Sequence, residues 1–147
     1  MSVLVDTNIL VYAANAQCPE HTVARQTLEE LRAGDRPWFL TWGVIYEFLR
    51  VVTHPAVSDS PLSASAALLF VGRLLDSPQL AILLETDIHL SLLKDIVKGL
   101  QKPAGNLFHD AHIAALMREH GIREILTADR GFRRFKHLLV WNPLHQG

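Results

Sequence analysis

The sequence predicts a three-layer α/β/α sandwich around a mainly parallel central sheet, and three observations carry that expectation. Short apolar runs recur along the chain, beginning with Val3-Leu4-Val5, which shows no polar alternation and reads as a strand buried on both faces. Between successive runs lie stretches with helical periodicity, the alternation that builds a parallel sheet. The first and fourth runs both stop at a hydroxyl and a carboxylate: Asp6-Thr7-Asn8 after one, Thr127-Ala128-Asp129 after the other. Ligands of open α/β sheets bind at the carboxyl ends of strands, so acids there are candidates for a site.

Each element has its own justification. A short helical piece, 9–14, follows Asp6, and a loop follows at Gln17-Cys18-Pro19. A helix over 20–33 places Val23, Leu28 and Leu31 on one side, with Gly34 beyond its end. Residues 37–40 read as the second strand. Residues 42–52 form an apolar helix with Glu47 in its middle; Arg50, three residues on, shares its face and offers an ion pair. A Pro/Ser-rich loop over 53–61 precedes a helix over 63–75, in which 66–72 carries no charge. A surface helix should show a polar face, so this one is either sandwiched in the core or, as a domain this small favours, covered by another chain. Residues 80–84 read as a third buried strand. Residues 87–100 form an amphipathic helix with Leu90, Leu93, Ile96, Val97 and Leu100 inward. A helix opens near Asn106 and ends at Gly121. Residues 124–126 are a fourth strand, 130–135 a short basic helix or turn, and 138–141 the last strand.

The totals bound the function. The 147 residues are expected to form one domain, 1–147, with 49% apolar residues and no linker-like tract or repeat. A single cysteine excludes a disulfide framework and fits a reducing cytoplasm. The start lacks a basic, apolar leader pattern, and no apolar run reaches the ~20 residues of a membrane span. A net charge of −1 advertises no bulk affinity for nucleic acid, so a basic surface must be local.

If the first and fourth strands are neighbours, Asp6, Glu47, Asp110 and Asp129 converge on one edge of the sheet. Three of them also have an ordinary role open to them: Asp6 as a helix cap, Glu47 as partner of Arg50, Asp110 beside a helix dipole. Four carboxylates in one cleft repel one another unless cations are present, and hard divalent cations such as magnesium or manganese prefer such oxygen donors. An acidic site without a nucleophilic Ser or Cys points to metal-assisted phosphodiester hydrolysis. Other motifs compete. Asp6-Thr7-Asn8 resembles the start of a haloacid-dehalogenase-type phosphatase, but Asn8 stands where the general acid belongs. His109-Asp110 matches the HD phosphohydrolase dipeptide, but those proteins are all-helical. His109 and His112, one turn apart, offer a second possible metal pair.

Taken in order, four pieces resemble the PIN-domain ribonucleases, specifically VapC-like toxins of type II toxin–antitoxin systems: 5–10 with Asp6; 46–51 with Glu47; 106–115 with Asp110; and 127–132 with Asp129. The resemblance covers essentially the whole chain. It implies a PIN-like fold and a magnesium- or manganese-dependent endoribonuclease that hydrolyses RNA with metal-activated water. Asp6, Glu47, Asp110 and Asp129 would be catalytic and hold metal, with Asn8 and Thr127 supporting them. It also implies a homodimer and a VapB-like antitoxin docked on the charge-poor helix and the helix bearing Glu47. Many relatives carry a further acid where this chain has Gly131. The basic cluster Arg130, Arg133, Arg134 and Lys136 is the candidate RNA contact, supplying affinity and salt dependence rather than sequence choice. Two alternatives keep the fold: a DNA or flap nuclease, and a catalytically silent module that binds RNA or a partner.

Overall fold

The computed structural model describes residues 2–145. Strands β1 (Val3–Val5), β2 (Trp38–Leu40), β3 (Leu80–Ile82), β4 (Glu124–Leu126) and β5 (Leu139–Trp141) form one parallel sheet in the order β3-β2-β1-β4-β5. The helices are α1 (Thr7–Ala14), α2 (His21–Ala33), α3 (Trp42–Thr53), α4 (Ala64–Leu75), α5 (His89–Lys98) and α6 (Leu107–Glu119), and a 3-10 turn spans Arg130–Arg134. The chain first steps outward from β1 to β2 to β3, then returns across the sheet to β4 on the other side of β1. Right-handed crossovers therefore put α1–α4 on one face and α5–α6 on the other. The packing agrees: α1 meets α2 and α3, α3 meets α4, and α5 meets α6. The expected sandwich and its parallel sheet are both present.

The reversal of direction falls between β1 and β4, where a crevice opens at the carboxyl ends of the strands. Leu4 pairs with Ile125 and Val5 with Leu126. The ladder runs one residue further, with the Asp6 amide donating to the Leu126 carbonyl at 3.0 Å and the Thr127 amide to Trp141 at 2.9 Å. The hydroxyl and carboxylate that end these strands are thus set side by side.

Val3, Leu4 and Val5 are fully buried, as an apolar run in a central parallel strand should be. The third strand departs from expectation. β3 is an edge: Leu80 and Ile82 are only half-buried and Ala81 is exposed. β5 closes the other edge with Leu139 and Trp141 exposed. Ala24, rather than Val23, joins Leu28 and Leu31 in the core from α2. On α5, which starts two residues later than its periodicity suggests and packs mainly on α6, Ile96 is buried while Leu90 is exposed.

Several helix boundaries have a visible chemical cause. Thr41 Oγ1 accepts from the Val44 amide at 3.0 Å and starts α3, while Ser63 Oγ accepts from Ala66 at 3.1 Å and starts α4. α6 is buried nearly all round through Ala111, Ile113, Ala114, Ala115, Leu116 and Met117, so it is a core helix. It ends at Gly121, whose φ of 70° lets the Ile122 amide turn back to Met117 at 2.8 Å and satisfy an otherwise orphaned carbonyl. Glu124, the first residue of β4, is buried yet charged, and Arg36 pairs with it at the end of the sheet remote from the crevice.

Candidate active site

Asp6 sits at the junction of β1 and α1, and its two oxygens have different tasks. Oδ1 caps α1 by accepting from the Thr7 amide at 2.7 Å. Oδ2 accepts from Thr127 Oγ1 at 2.7 Å and from Asn8 Nδ2 at 3.3 Å. The capping role and a site role therefore coexist in one carboxylate. Asn8 extends the link: its amide nitrogen donates to Thr127 Oγ1 at 3.1 Å, and its oxygen accepts from the Ala128 amide at 3.1 Å. The Asp129 amide donates to Thr127 Oγ1 at 3.0 Å. Asn8 and Thr127 thus stitch the two strand ends together and fix where Asp6 and Asp129 begin.

Asp129 caps the 3-10 turn, with Oδ1 accepting from the Gly131 amide at 2.7 Å. Glycine at 131 is a close fit: a Cβ there would lie 2.9 Å from both Asp129 Oδ1 and the Arg134 guanidinium. Any side chain at this place would force the Asp129 carboxylate and the Arg134 guanidinium to shift from where they now stand.

Asp6, Glu47, Asp110 and Asp129 line one open cleft of about 290 Å³, together with Asn8, Tyr12 and His109. The expected convergence is therefore present. Its electrostatic signature is mutual. Burial raises the Asp6 pKa, against the Thr127 and Thr7 hydrogen bonds, and the charge of Asp129 adds to the rise. Asp110 is pushed up to about 6 by burial and then by Asp129 and Asp6. Among the described residues no hydrogen bond holds its carboxylate. His109 and Arg134 favour its ionised form without overcoming the acids.

Glu47 differs. Arg50 Nε donates to it at 3.0 Å and the other guanidinium arm at 2.6 Å. Those bonds hold its pKa below the usual carboxylate range, against its partial burial. Glu47 lines the cleft and forms the ion pair at once. The donor set is all carboxylate oxygen, and two of its members resist ionising beside their neighbours. A hard divalent cation fits such a set and relieves that strain.

The basic residues follow Asp129 directly in the chain, and Arg134 and Lys136 line a separate groove with Leu100 and Arg118. Arg130, Arg133, Arg134 and Lys136 are all exposed, and Arg134 Nε donates to the Gly131 carbonyl at 2.7 Å. Arg134 is close enough to Asp110 to influence its charge. The two histidines on α6 part company. His109 lines the acidic cleft, whereas His112 Nε2 lies 2.6 Å from Glu85 Oε1 and its ring stands edge-on to His89. The possible pairing of His109 with His112 is not formed; a different cluster, unread in the sequence, is formed in its place. Its signal was faint: Glu85 follows a strand end, and Glu119 follows His112 by two turns.

A parallel α/β sandwich with acids gathered at its switch point defines a class of small acidic-site domains. Residues 3–138 match the family model described as PIN domain, and this chain belongs to that family. It is similar to ribonuclease VapC48 of Mycobacterium tuberculosis, 34% identical over 143 residues that cover 97% of this chain and 98% of the relative. Ribonuclease VapC43 of the same species is 37% identical over 140 residues, covering 95% and 94%. Among solved structures, VapBC2 from Rickettsia felis bound to a promoter DNA fragment aligns with a TM-score of 0.68 at 21% identity, covering 97% and 98%. That last likeness is one of fold.

Proposed function

We infer that this chain is an endoribonuclease and the toxin of a toxin–antitoxin pair, like the VapC ribonucleases it resembles along nearly its whole length. The observation that carries the chemistry is the one cleft that Asp6, Glu47, Asp110 and Asp129 line together. These four residues would hold a magnesium or manganese ion. When bound, such an ion lowers the pKa of water and stabilises the attacking and leaving oxygens of phosphodiester hydrolysis.

The chain's own residues have separable tasks. Thr127 and Asn8 hold Asp6 in one orientation and bring Asp129 beside it. Gly131 keeps the Asp129 carboxylate turned toward its own amide. Arg130, Arg133, Arg134 and Lys136 contact RNA phosphates next to the acids, so RNA is attracted to a centre that would otherwise repel it. The free state of Asp110 leaves it able to take a ligand without breaking a hydrogen bond.

The partner is a VapB-like antitoxin. Leu68 and Leu69 on α4 are 57% and 56% exposed, and Trp42 and Tyr46 on α3 are 47% and 69% exposed. Such apolar faces suit an amphipathic segment laid over the two helices. A homodimer, action as one domain over 1–147, and a cytoplasmic setting belong to the same proposal. Among the described residues no helix is long and apolar enough to cross a membrane.

Incubating the purified chain with total cellular RNA tests the reading. Cutting in magnesium or manganese that stops in EDTA is expected. Intact RNA with every metal, alongside retained RNA binding, would favour the silent binding module.

A further inference from the structure

A second group of metal-ligating side chains gathers where the loop after β3 and the start of α5 meet α6, and the proposed ribonuclease chemistry does not use it. His112 Nε2 lies 2.6 Å from Glu85 Oε1. The rings of His89 and His112 stand edge to face with centroids 5.4 Å apart. One ligand atom from each of Glu85, His89 and His112 lies within 4.8 Å of the other two.

What separates this group from an ordinary exposed ion pair is the arrangement behind it. The Glu119 side chain is fully covered and accepts three hydrogen bonds: from the Thr86 amide at 2.8 Å, from Thr86 Oγ1 at 2.6 Å and from His89 Nδ1 at 2.6 Å. A carboxylate already serving as acceptor for Thr86 requires His89 Nδ1 to carry the proton. With Nδ1 engaged by Glu119, Nε2 is the nitrogen of His89 left to serve a metal. A carboxylate that orients a histidine through its far nitrogen is the usual support of a metal-ligating imidazole. The His112 ring is placed between Glu85, which its Nε2 meets at 2.6 Å, and the His89 ring that stands edge-on to it. His89 and His112 are only 19% and 33% exposed, and Glu85, at 48%, forms the open side.

We propose that Glu85, His89 and His112 form a binding site for a borderline divalent transition-metal ion, zinc being the best fit, with Glu119 orienting His89. Two imidazoles and one carboxylate are a recognised zinc donor set that leaves a fourth position for water. Tetrahedral zinc with ligand distances of about 2.0–2.1 Å needs donor atoms roughly 3.3 Å apart, a spacing this group reaches by small side-chain adjustments. Imidazole donors also set the site apart from the all-carboxylate cleft, which suits magnesium or manganese. Loading it clamps the loop after β3 onto α6.

The test is zinc titration of the metal-stripped full chain against a chromophoric chelator, with thermal melting alongside. One zinc per chain is expected, bound tighter than ~1 μM, with a higher melting temperature when loaded. Glu85→Ala and His112→Ala should each weaken binding roughly 100-fold, and Glu119→Gln roughly 10-fold. Asp110→Asn, in the acidic cleft, should leave zinc affinity unchanged. Should His112→Ala fail to fold, exposed Glu85→Ala decides. Absence of a micromolar site, unaltered affinity in Glu85→Ala, or loss of zinc binding in Asp110→Asn would each overturn the proposal. None of these results depends on whether the chain cuts RNA.

Discussion

Thr127 Oγ1 donates to Asp6 Oδ2 at 2.7 Å while accepting from the Asn8 side chain at 3.1 Å and from the Asp129 amide at 3.0 Å. One buried hydroxyl, 1% exposed, therefore joins the ends of β1 and β4 and sets the spacing of two of the cleft's acids. Thr127→Val keeps the shape and removes every one of these bonds, leaving buried partners unsatisfied. It should cost about 1–3 kcal/mol of stability and lower RNA cleavage. Thr127→Ser should retain most of both. Denaturant midpoints and single-turnover cleavage of the two variants check this; equal behaviour of Val and Ser would show the hydroxyl to be dispensable.

Asp110 gives a prediction in pH. Its carboxyl is raised from 3.8 to about 6 in the folded chain. The folded state therefore binds more protons than the unfolded one between those values, and the group's contribution to stability falls as pH rises through that window. Above about pH 6 the penalty is constant. Discounted for solvent screening, it is about 1 kcal/mol. Metal-free Asp110→Asn should be more stable than the parent at pH 7.5, with the gap narrowing as pH falls toward 4. A gap that widens toward low pH would contradict the sign.

Gly131 is a test of local geometry. A methyl group at this position meets Asp129 Oδ1 and Arg134 at 2.9 Å, so both side chains must give way, and the shift of the Asp129 carboxylate loosens its hydrogen bond to residue 131. Gly131→Ala should cut metal-dependent cleavage several-fold, about 3- to 10-fold, with little change in stability because the position is a partly exposed turn. Metal titration of this variant by calorimetry should show weakened binding. Parent-like metal affinity would mean that Asp129 does not need its present orientation.

Arg50 competes for Glu47 with whatever the cleft binds. Arg50→Met leaves the carboxylate without its bidentate partner. If Glu47 is a metal ligand, affinity for manganese should rise roughly two- to fivefold at low ionic strength, the scale of an exposed pair. Unchanged manganese affinity would place Glu47 outside the metal's ligands.

The elements that positioned the acids were legible because their patterns are local. Val3-Leu4-Val5 announces a buried strand, and Gly121 announces a helix end; both are where the sequence puts them. The repeated hydroxyl-and-acid ending of the first and fourth strands pointed to their adjacency. Edge positions were less legible. Leu80-Ala81-Ile82 is as apolar as a central strand, and only the strand order reveals that one flank is bare. Long-range polar contacts were invisible for a related reason. Glu119 and Thr86 are 33 residues apart with no local pattern linking them, and Arg36 meets Glu124 across 88. The sequence offered both Arg50 and the cleft as partners for Glu47, and the fold uses the two together.

The most direct test of the carboxylate cleft is the single-turnover RNA cleavage rate of Asp110→Asn at pH 7.5 in saturating manganese. The variant keeps the volume of the side chain and should be at least as stable as the parent, so lost activity cannot be lost folding. A fall of about 100-fold or more is expected from removing one charged group at the reacting centre. A rate within about twofold of the parent would contradict the assignment of these four acids as the site of RNA hydrolysis.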